Sequence, residues 1–300
     1  MNDADPLSSA ASDGDGKGTL YVVSTPIGNL GDVSLRALET LRRVRLIAAE
    51  DTRHTRKLLT HHGISARLVS YHAHNRLARI DEILAQLAHG HVALVSDAGT
   101  PVVSDPGQEL VRAAADAGYA VVCVPGASAL TAALAVSGLE ASVVHFGGFL
   151  PRRQSERRRA LAAMRAWPGV AVVFEAPHRL RSALEDVLAE LGDVPLAVCC
   201  DLTKRFESVF RGVASEAGAH FAEVEPRGEF TLVVALPGAP PDERAAPAPQ
   251  GTHDLEARFD TLRAALGDRA RALAALARES GLPRKELYRR LISGRRSDRD

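Results

Sequence analysis

The chain has 300 residues, of which 46% are hydrophobic and 25% charged, and its formal net charge is zero. That length exceeds one ordinary domain, and that composition buries a substantial core, which excludes a disordered or fibrous protein. Zero net charge excludes a global field drawing the chain to nucleic acid. No run of 18 apolar residues and no signal-peptide pattern occurs, so no membrane partner is expected.

Residues 1–18 are acidic and rich in Ser, Gly and Asp, and they read as a disordered leader. From Leu20 onward short apolar runs alternate with helical periodicity. The runs are Leu20–Val23, Leu46–Ala48, Arg67–Ser70, Val92–Ser96 and Ala120–Val124. Such alternation predicts a parallel sheet with helices on both faces, an N-terminal α/β domain over residues 19–149. Asp105 is placed to cap a helix opened by Pro106, with Gln108 three residues beyond the cap. Gly63, Gly118 and Gly138 follow the last turns of their helices.

Phe149-Leu150-Pro151 reads as a hinge into a second α/β domain over residues 150–237. Its predicted strands are Val170–Glu175, Leu196–Cys200, Phe206–Arg211 and Phe230–Leu236, with helices over Arg157–Trp167 and Leu180–Leu191. A Pro/Ala-rich linker occupies residues 238–252, and residues 253–300 form a basic helical C-terminal domain. Residues 251–300 hold 12 Lys+Arg against 8 Asp+Glu, so this tail is positive although the whole chain is neutral. Cys123, Cys199 and Cys200 all lie in apolar strand-like runs and read as buried free thiols, which fits a reducing cytoplasm.

Three strand-to-loop junctions carry the functional signal. They are Ser24-Thr25-Pro26-Ile27-Gly28-Asn29-Leu30-Gly31, Ser96-Asp97-Ala98-Gly99-Thr100-Pro101 and Pro125-Gly126-Ala127-Ser128. Glycine and proline at such turns let backbone amides approach a ligand, and in open α/β sheets ligands bind beyond the carboxyl ends of the strands. Gly28 and Gly31 have the wrong spacing for a dinucleotide fingerprint, and no phosphate-loop lysine motif occurs. Asp97, at its strand's end beside small residues, suits a cationic or hydroxylated ligand. Glu50-Asp51-Thr52-Arg53-His54-Thr55 is an unbroken polar run after an apolar strand. It reads either as a helix cap by Asp51 with solvated Arg53 and His54, or as a set of groups facing a substrate. His61, His62, His72 and His74 show no metal-ligand spacing, so no metal is expected. Arginines at 152, 153, 157, 158 and 159, together with Arg284, Lys285, Arg289, Arg290, Arg295 and Arg296, form two basic clusters. They read as solvated faces or as contacts to a phosphate backbone. Aromatic residues for base stacking are scarce.

These motifs, with Ala48-Ala49-Glu50-Asp51-Thr52-Arg53-His54-Thr55, resemble those of the ribosomal RNA small-subunit methyltransferase I family. This family is the RNA-modifying branch of the tetrapyrrole-methylase fold. The resemblance runs from Leu20 to about Leu236. It implies two α/β domains with a cofactor cleft between them and an enzyme dependent on S-adenosylmethionine. It further implies methyl transfer to the ribose 2′-oxygen of a cytidine in the decoding centre of 16S rRNA, within the small ribosomal subunit, by a homodimer. By the same resemblance Pro26, Asp97, Gly99, Thr100, Ala127, Ser128, Glu175, Ala176 and Thr231 belong to the cofactor cleft, with Phe174, Gly228, Glu229 and Phe230 beside them. Where the family usually reads Arg-Glu-Leu-Thr-Lys, this chain has Cys200-Asp201-Leu202-Thr203-Lys204. A ribose hydroxyl needs a proton acceptor to become a nucleophile, and Asp51, His54 and Glu175 are the candidates. Arg53 and Lys204 are placed to grip phosphate or lower the hydroxyl's pKa. Two other readings compete. A precorrin-type tetrapyrrole C-methyltransferase needs an apolar macrocycle pocket, and a non-catalytic RNA-binding module has no use for three cofactor loops.

Overall fold

A computed structural model describes residues 18–238, 252–280, 282, 287, 288 and 291. The expected leader and Pro/Ala linker lie almost wholly outside the described residues, as do the tail cations Arg284, Lys285, Arg289, Arg290, Arg295 and Arg296.

Residues 18–238 form one compact unit built on two five-stranded sheets. The first holds β1 (Thr19–Val23), β2 (Leu46–Ala49), β3 (Leu68–Ser70), β4 (Val92–Val95) and β5 (Ala120–Val124) in the order β3-β2-β4-β1-β5. All its pairs are parallel, with registers such as Leu20↔Val92 and Ile47↔Ala93. Parallel strands buried on both faces read as continuous apolar runs, and β1, β2 and β4 are buried at every residue. Helices α1 (Leu35–Arg43) and α2 (Thr52–His61) cover one face through Leu38, Leu41, Leu58 and Leu59. Helices α3 (Arg76–Leu87) and α4 (Gln108–Asp116) cover the other through Ile83, Leu87 and Leu110.

Asp105 does not cap α4. The helix starts at Gln108 after Gly107, whose φ of 146° suits glycine, and a Cβ there would meet Leu94 Cδ2 at 2.8 Å and Val102 Cγ2 at 2.9 Å. The Pro106-Gly107 backbone presses onto the sheet, and the Asp105 carboxyl turns away from the helix end.

The second sheet holds β6 (Val144–Phe149), β7 (Val170–Glu175), β8 (Pro195–Cys200), β9 (Ser208–Val213) and β10 (Phe230–Ala235), ordered β6-β7-β10-β8-β9. Only β6–β7 is parallel. Strand β6 lies within the expected first domain yet pairs with β7, so the passage between sheets falls before Val144. Gly147, Gly148 and a register shift between Phe146 and Gly148 mask its strand character in the sequence. Helices α6 (Gln154–Met164), α7 (Leu180–Leu191) and α8 (Ala214–Glu223) cover one face, with Leu161, Leu184 and Phe221 in its core. The opposite face receives α5 (Ala129–Ser137), whose small residues pack against Val172, Ala197 and Cys199. The alanine-rich helix is therefore a packing element between the sheets, and it ends at Gly138 in the left-handed conformation.

The basic cluster at the start of the second sheet is partly structural. Arg157 is buried and bonds Asp186 through Nε at 2.7 Å, and Arg158 bonds the same fully buried carboxylate at 2.6 Å. Cys199 is buried and Cys200 half-buried, but Cys123 is exposed because β5 is an edge strand.

In the second unit α9 (Thr252–Leu266) and α10 (Arg269–Ser280) join Leu287 and Leu291 in a small core around Leu255, Phe259 and Leu276. Most of the expected helical C-terminal domain beyond residue 280 lies outside the described residues.

Candidate active site

The three loops converge at the carboxyl edge of the first sheet, where the backbone ties them together. Thr25 and Gly99 exchange N–H···O bonds of 2.8 and 3.0 Å, and the Ser24 and Thr100 hydroxyls lie 2.9 Å apart. Gly99 takes φ 75°, a left-handed conformation that glycine adopts without strain. Gly126 lets the third loop close on the first, since a Cβ there would lie 3.0 Å from Ser24 Cβ. Between Thr100 and Asp105 the non-glycine residues Val102 (φ 76°) and Ser104 (φ 66°) are also left-handed, backbone strain of the kind that clusters at functional sites.

A cavity of about 420 Å³ opens between these loops and the second sheet, within the size range of small-molecule sites. Asp97, Gly99, Thr100 and Ser128 line it from one side, and Glu175, Ala176 and Thr231 from the other. Pro26 and Ala127 do not line it. Pro26 lies on a smaller neighbouring cavity, and the Ala127 carbonyl backs Gly99.

Glu175 is 2% exposed, and its carboxylate pairs with Arg179 and accepts the Ala176 N–H through Oε1 at 2.7 Å. Its second oxygen, Oε2, is buried without a hydrogen-bond partner. Leaving an ionised oxygen unsatisfied is costly, so this atom is ready for a donor on a bound ligand.

Two further carboxylates line the cavity, Glu50 at the head of the polar run and Asp105, which the sequence offers only as a helix cap. Burial raises the Glu50 pKa, an effect that the Asp97 N–H partly offsets. Burial, reinforced by the Glu50 charge, pushes Asp105 up to about 6. Asp-Pro-Gly resembles a helix cap in sequence, which hid this residue's role.

The smaller cavity, of about 150 Å³, is lined by Pro26, Gly28, His54 and Lys57, and Asp97 lines both cavities. Asp51 caps α2 by accepting the Arg53 N–H at 2.8 Å and pairs with the Arg53 side chain at 2.7 Å. That guanidinium and the backbone N–H bonds hold the Asp51 carboxyl well below the usual carboxylate range. Neither Asp51 nor Arg53 lines either of these two cavities, whereas His54 lines the smaller one.

Lys204 binds Asp201 at 2.8 Å and Glu229 at 3.2 Å. It lines neither cavity, but its stem packs on Gly28. Its loop is strained, with Asp201 at φ 49° and Thr203 at φ 68°. Cys200, where the resembling family carries arginine, directs Sγ toward the Arg227 carbonyl at 3.4 Å. It lines a separate, aromatic-walled cavity of about 550 Å³ between β9 and α8.

Residues 19–218 match the sequence profile of the family described as Tetrapyrrole (Corrin/Porphyrin) Methylases. A protein of Synechocystis sp. named ribosomal RNA small subunit methyltransferase I is 47% identical over 273 residues, covering 90% of this chain and 96% of that one. A Thermotoga maritima protein of the same name is 49% identical over 218 residues, covering 72% of this chain and 98% of that one. Among solved structures, a uroporphyrin-III C-methyl transferase of Thermus thermophilus complexed with S-adenyl homocysteine aligns with a TM-score of 0.51 at 19% identity, over 73% of this chain and 97% of that one. A diphthine synthase aligns with a TM-score of 0.55 at 16% identity, over 73% of this chain and 90% of that one. At these identities the solved structures establish the fold, while the sequence relatives place the chain within it. It belongs to the tetrapyrrole methylase family, in the group of ribosomal RNA small subunit methyltransferases I.

Proposed function

We propose that the protein uses S-adenosylmethionine to methylate 16S rRNA, at the ribose 2′-oxygen of a cytidine in the decoding centre. It does so as a cytoplasmic homodimer acting on the small ribosomal subunit. The observation that carries the reading is the pair of cavities meeting at Asp97, a larger one with an unsatisfied Glu175 oxygen and a smaller one walled by His54 and Lys57. The residues fit the cofactor. Glu175 Oε2 seeks a donor, and Gly99 and Thr100 offer backbone at the cavity wall.

When bound, the cofactor supplies a methyl group on a sulfonium, which leaves as a neutral thioether once the methyl carbon bonds to the ribose oxygen. The protein must therefore align acceptor and methyl and remove the hydroxyl proton. Of the three candidates for proton acceptor, Asp51 is committed to Arg53, and Glu175 turns its one free oxygen to the larger cavity, where the cofactor is placed, rather than to the smaller one. His54 fronts the smaller cavity and is the acceptor this geometry favours. Lys204, held by Asp201 and Glu229, positions the loop against Gly28. The close relatives are named for rRNA methylation rather than for a tetrapyrrole substrate, and a cofactor-sized cavity has no purpose in a binding module without catalysis.

The test is to map 2′-O-methyl groups on 16S rRNA from a deletion strain with and without the restored gene. One ribose methyl in the decoding centre should vanish and return. An unchanged map, or loss of a base methyl instead, would overturn the assignment.

A further inference from the structure

Helix α2 runs Thr52-Arg53-His54-Thr55-Arg56-Lys57-Leu58-Leu59-Thr60-His61 and contains no carboxylate. Thr55, Leu58 and Leu59 face the core, while Arg53, His54, Arg56, Lys57 and His61 are exposed. Arg53 is neutralised by Asp51. Among the described residues neither Arg56 nor Lys57 has a carboxylate within ion-pairing distance, although both sit on one turn of one helix. With no carboxylate on the helix to offset them, these two charges leave the exposed side of α2 positive, which favours an anion lying along it.

A solvated basic helix face would have the same composition, but this one has a position. Lys57 and His54 wall the smaller cavity together with Pro26, Gly28 and Asp97, and Asp97 is also a wall of the larger one. Lys57 therefore flanks the approach by which an acceptor hydroxyl reaches the methyl donor, with Arg56 next to it in the chain on the same turn. Close to Asp97, Glu50 and Asp105, a bare anion would be repelled from the larger cavity. A polyanion with a neutral reactive group fits both requirements, its phosphates on α2 and its sugar turned inward.

We propose that Arg56 and Lys57 bind the backbone phosphates beside the nucleotide being methylated, with Lys57 taking the phosphate nearest the cleft. This rests on the reading that RNA is the substrate. The ligand chemistry is a ribose-phosphate strand, and the contact carries no base information.

The experiment compares the full-length protein with Arg56→Gln, Lys57→Gln, the double variant and Lys57→Arg. Small subunits from a deletion strain are the probe. Binding is measured over a series of salt concentrations without turnover, and transfer kinetics separately. Each glutamine should weaken subunit binding and shallow the slope of log affinity against log salt by about 0.7, the value for one phosphate contact on a single strand. The double variant should raise KM for the subunit with kcat and S-adenosylmethionine affinity kept, and Lys57→Arg should restore most of the binding. Unchanged salt slope and affinity in the double variant would overturn the proposal. So would an equal loss in Lys57→Arg, which would mark a structural rather than a charge effect. The wild-type transfer assay separates this from the function itself. A wild type that binds subunits along α2 but leaves them unmethylated would refute the methylation reading and leave the phosphate contact standing.

Discussion

The Asp97 carboxylate accepts the backbone N–H of Asp51 at 3.0 Å, tying the end of β4 to the first turn of α2. A weaker bond of 3.4 Å runs from the Asp97 N–H to Glu50 Oε2. Two neighbouring strand ends are thus cross-linked, each backbone N–H donating to a carboxylate of the other, beside the residue that lines both cavities. Asp97 is both a wall of the site and the brace that aims α2, so its charge and its bonding capacity can be separated by substitution.

Asp97→Asn keeps an oxygen acceptor for Asp51 while removing the charge. It should leave thermal stability nearly unchanged and weaken S-adenosylmethionine binding roughly tenfold or more, about 1.4 kcal/mol. Asp97→Ala also orphans the Asp51 N–H and should cost a further 1 kcal/mol or so of stability. Calorimetry and thermal melts read the two effects. Wild-type cofactor affinity in Asp97→Asn would remove Asp97 from the cofactor site.

Asp105 gives a pH signature. Its pKa stands at about 6 in the folded protein against an unfolded value of 3.8, so the folded state binds more protons across that window. Stability attributable to this group is therefore present at low pH and lost as pH rises toward 6. Because the side chain is partly solvated, the cost above pH 6 is about 1–2 kcal/mol, less than the full two-unit shift implies. Asp105→Asn should raise the melting temperature at pH 8 and match wild type near pH 4. A variant less stable than wild type at pH 8 would show that the carboxylate is favourably paired.

Much of this was legible in the sequence because each strand of the first sheet is a short apolar run ending in Gly, Pro or a polar residue. The convergence of Thr25, Gly99 and Ser128 follows from parallel topology alone. What escaped detection depends on distance in sequence. Arg157 and Asp186 are 29 residues apart, so the arginine run looked available for phosphate. Strand β6 was hidden by Gly147 and Gly148, and the side of α5 that packs could not be read from a helix of mostly small residues. Asp51 and Arg53 show two purposes in one motif. Capping and ion pairing use both residues, while Glu50, His54 and Thr55 of that run line the two cavities.

The buried triad sets a stability prediction independent of the site. Asp186 is fully buried between Arg157 and Arg158, and Arg157 is itself 3% exposed. Asp186→Ala strands the Arg157 charge in the core and should cost about 3–5 kcal/mol in urea unfolding. Replacing both members, as in Arg157→Met with Asp186→Leu, should recover most of that loss. A double variant as unstable as the single one would show that the packing around the pair, rather than the stranded charge, is what the substitution damages.

Gly28 is a steric test of how the two sheets cooperate. A Cβ there would fall 2.5 Å from Lys204 Cγ and 3.1 Å from the Leu202 carbonyl oxygen, so the loop 201–204 must retreat. Because that loop is already strained at Asp201 and Thr203, it has little room to yield. Gly28→Ala should fold, yet lower methyl transfer about 10–100-fold through misplacement at the cleft. Single-turnover transfer rates beside circular dichroism decide it, and a wild-type rate would mean that the Lys204 loop is not coupled to the reaction.

The C-terminal unit is the last test. Residues 251–300 carry an excess of four positive charges, and the tail cations lie mostly on its final stretch. The Thermotoga maritima relative is matched over 98% of its length by an alignment of 218 residues, about the span of residues 18–238 alone. The larger cavity is also lined wholly by residues of that span. The tail is therefore expected to serve the substrate rather than the cofactor, by adding phosphate contacts. Ending the chain after Gly238 should leave S-adenosylmethionine affinity intact, weaken binding to the small subunit and flatten its salt dependence. Because the slope counts phosphates, the loss should add to that of the Arg56 and Lys57 variants if the two surfaces touch the RNA independently. Equal binding by the truncated and full-length proteins at every salt concentration would assign the tail to another purpose, such as holding two copies of the chain together.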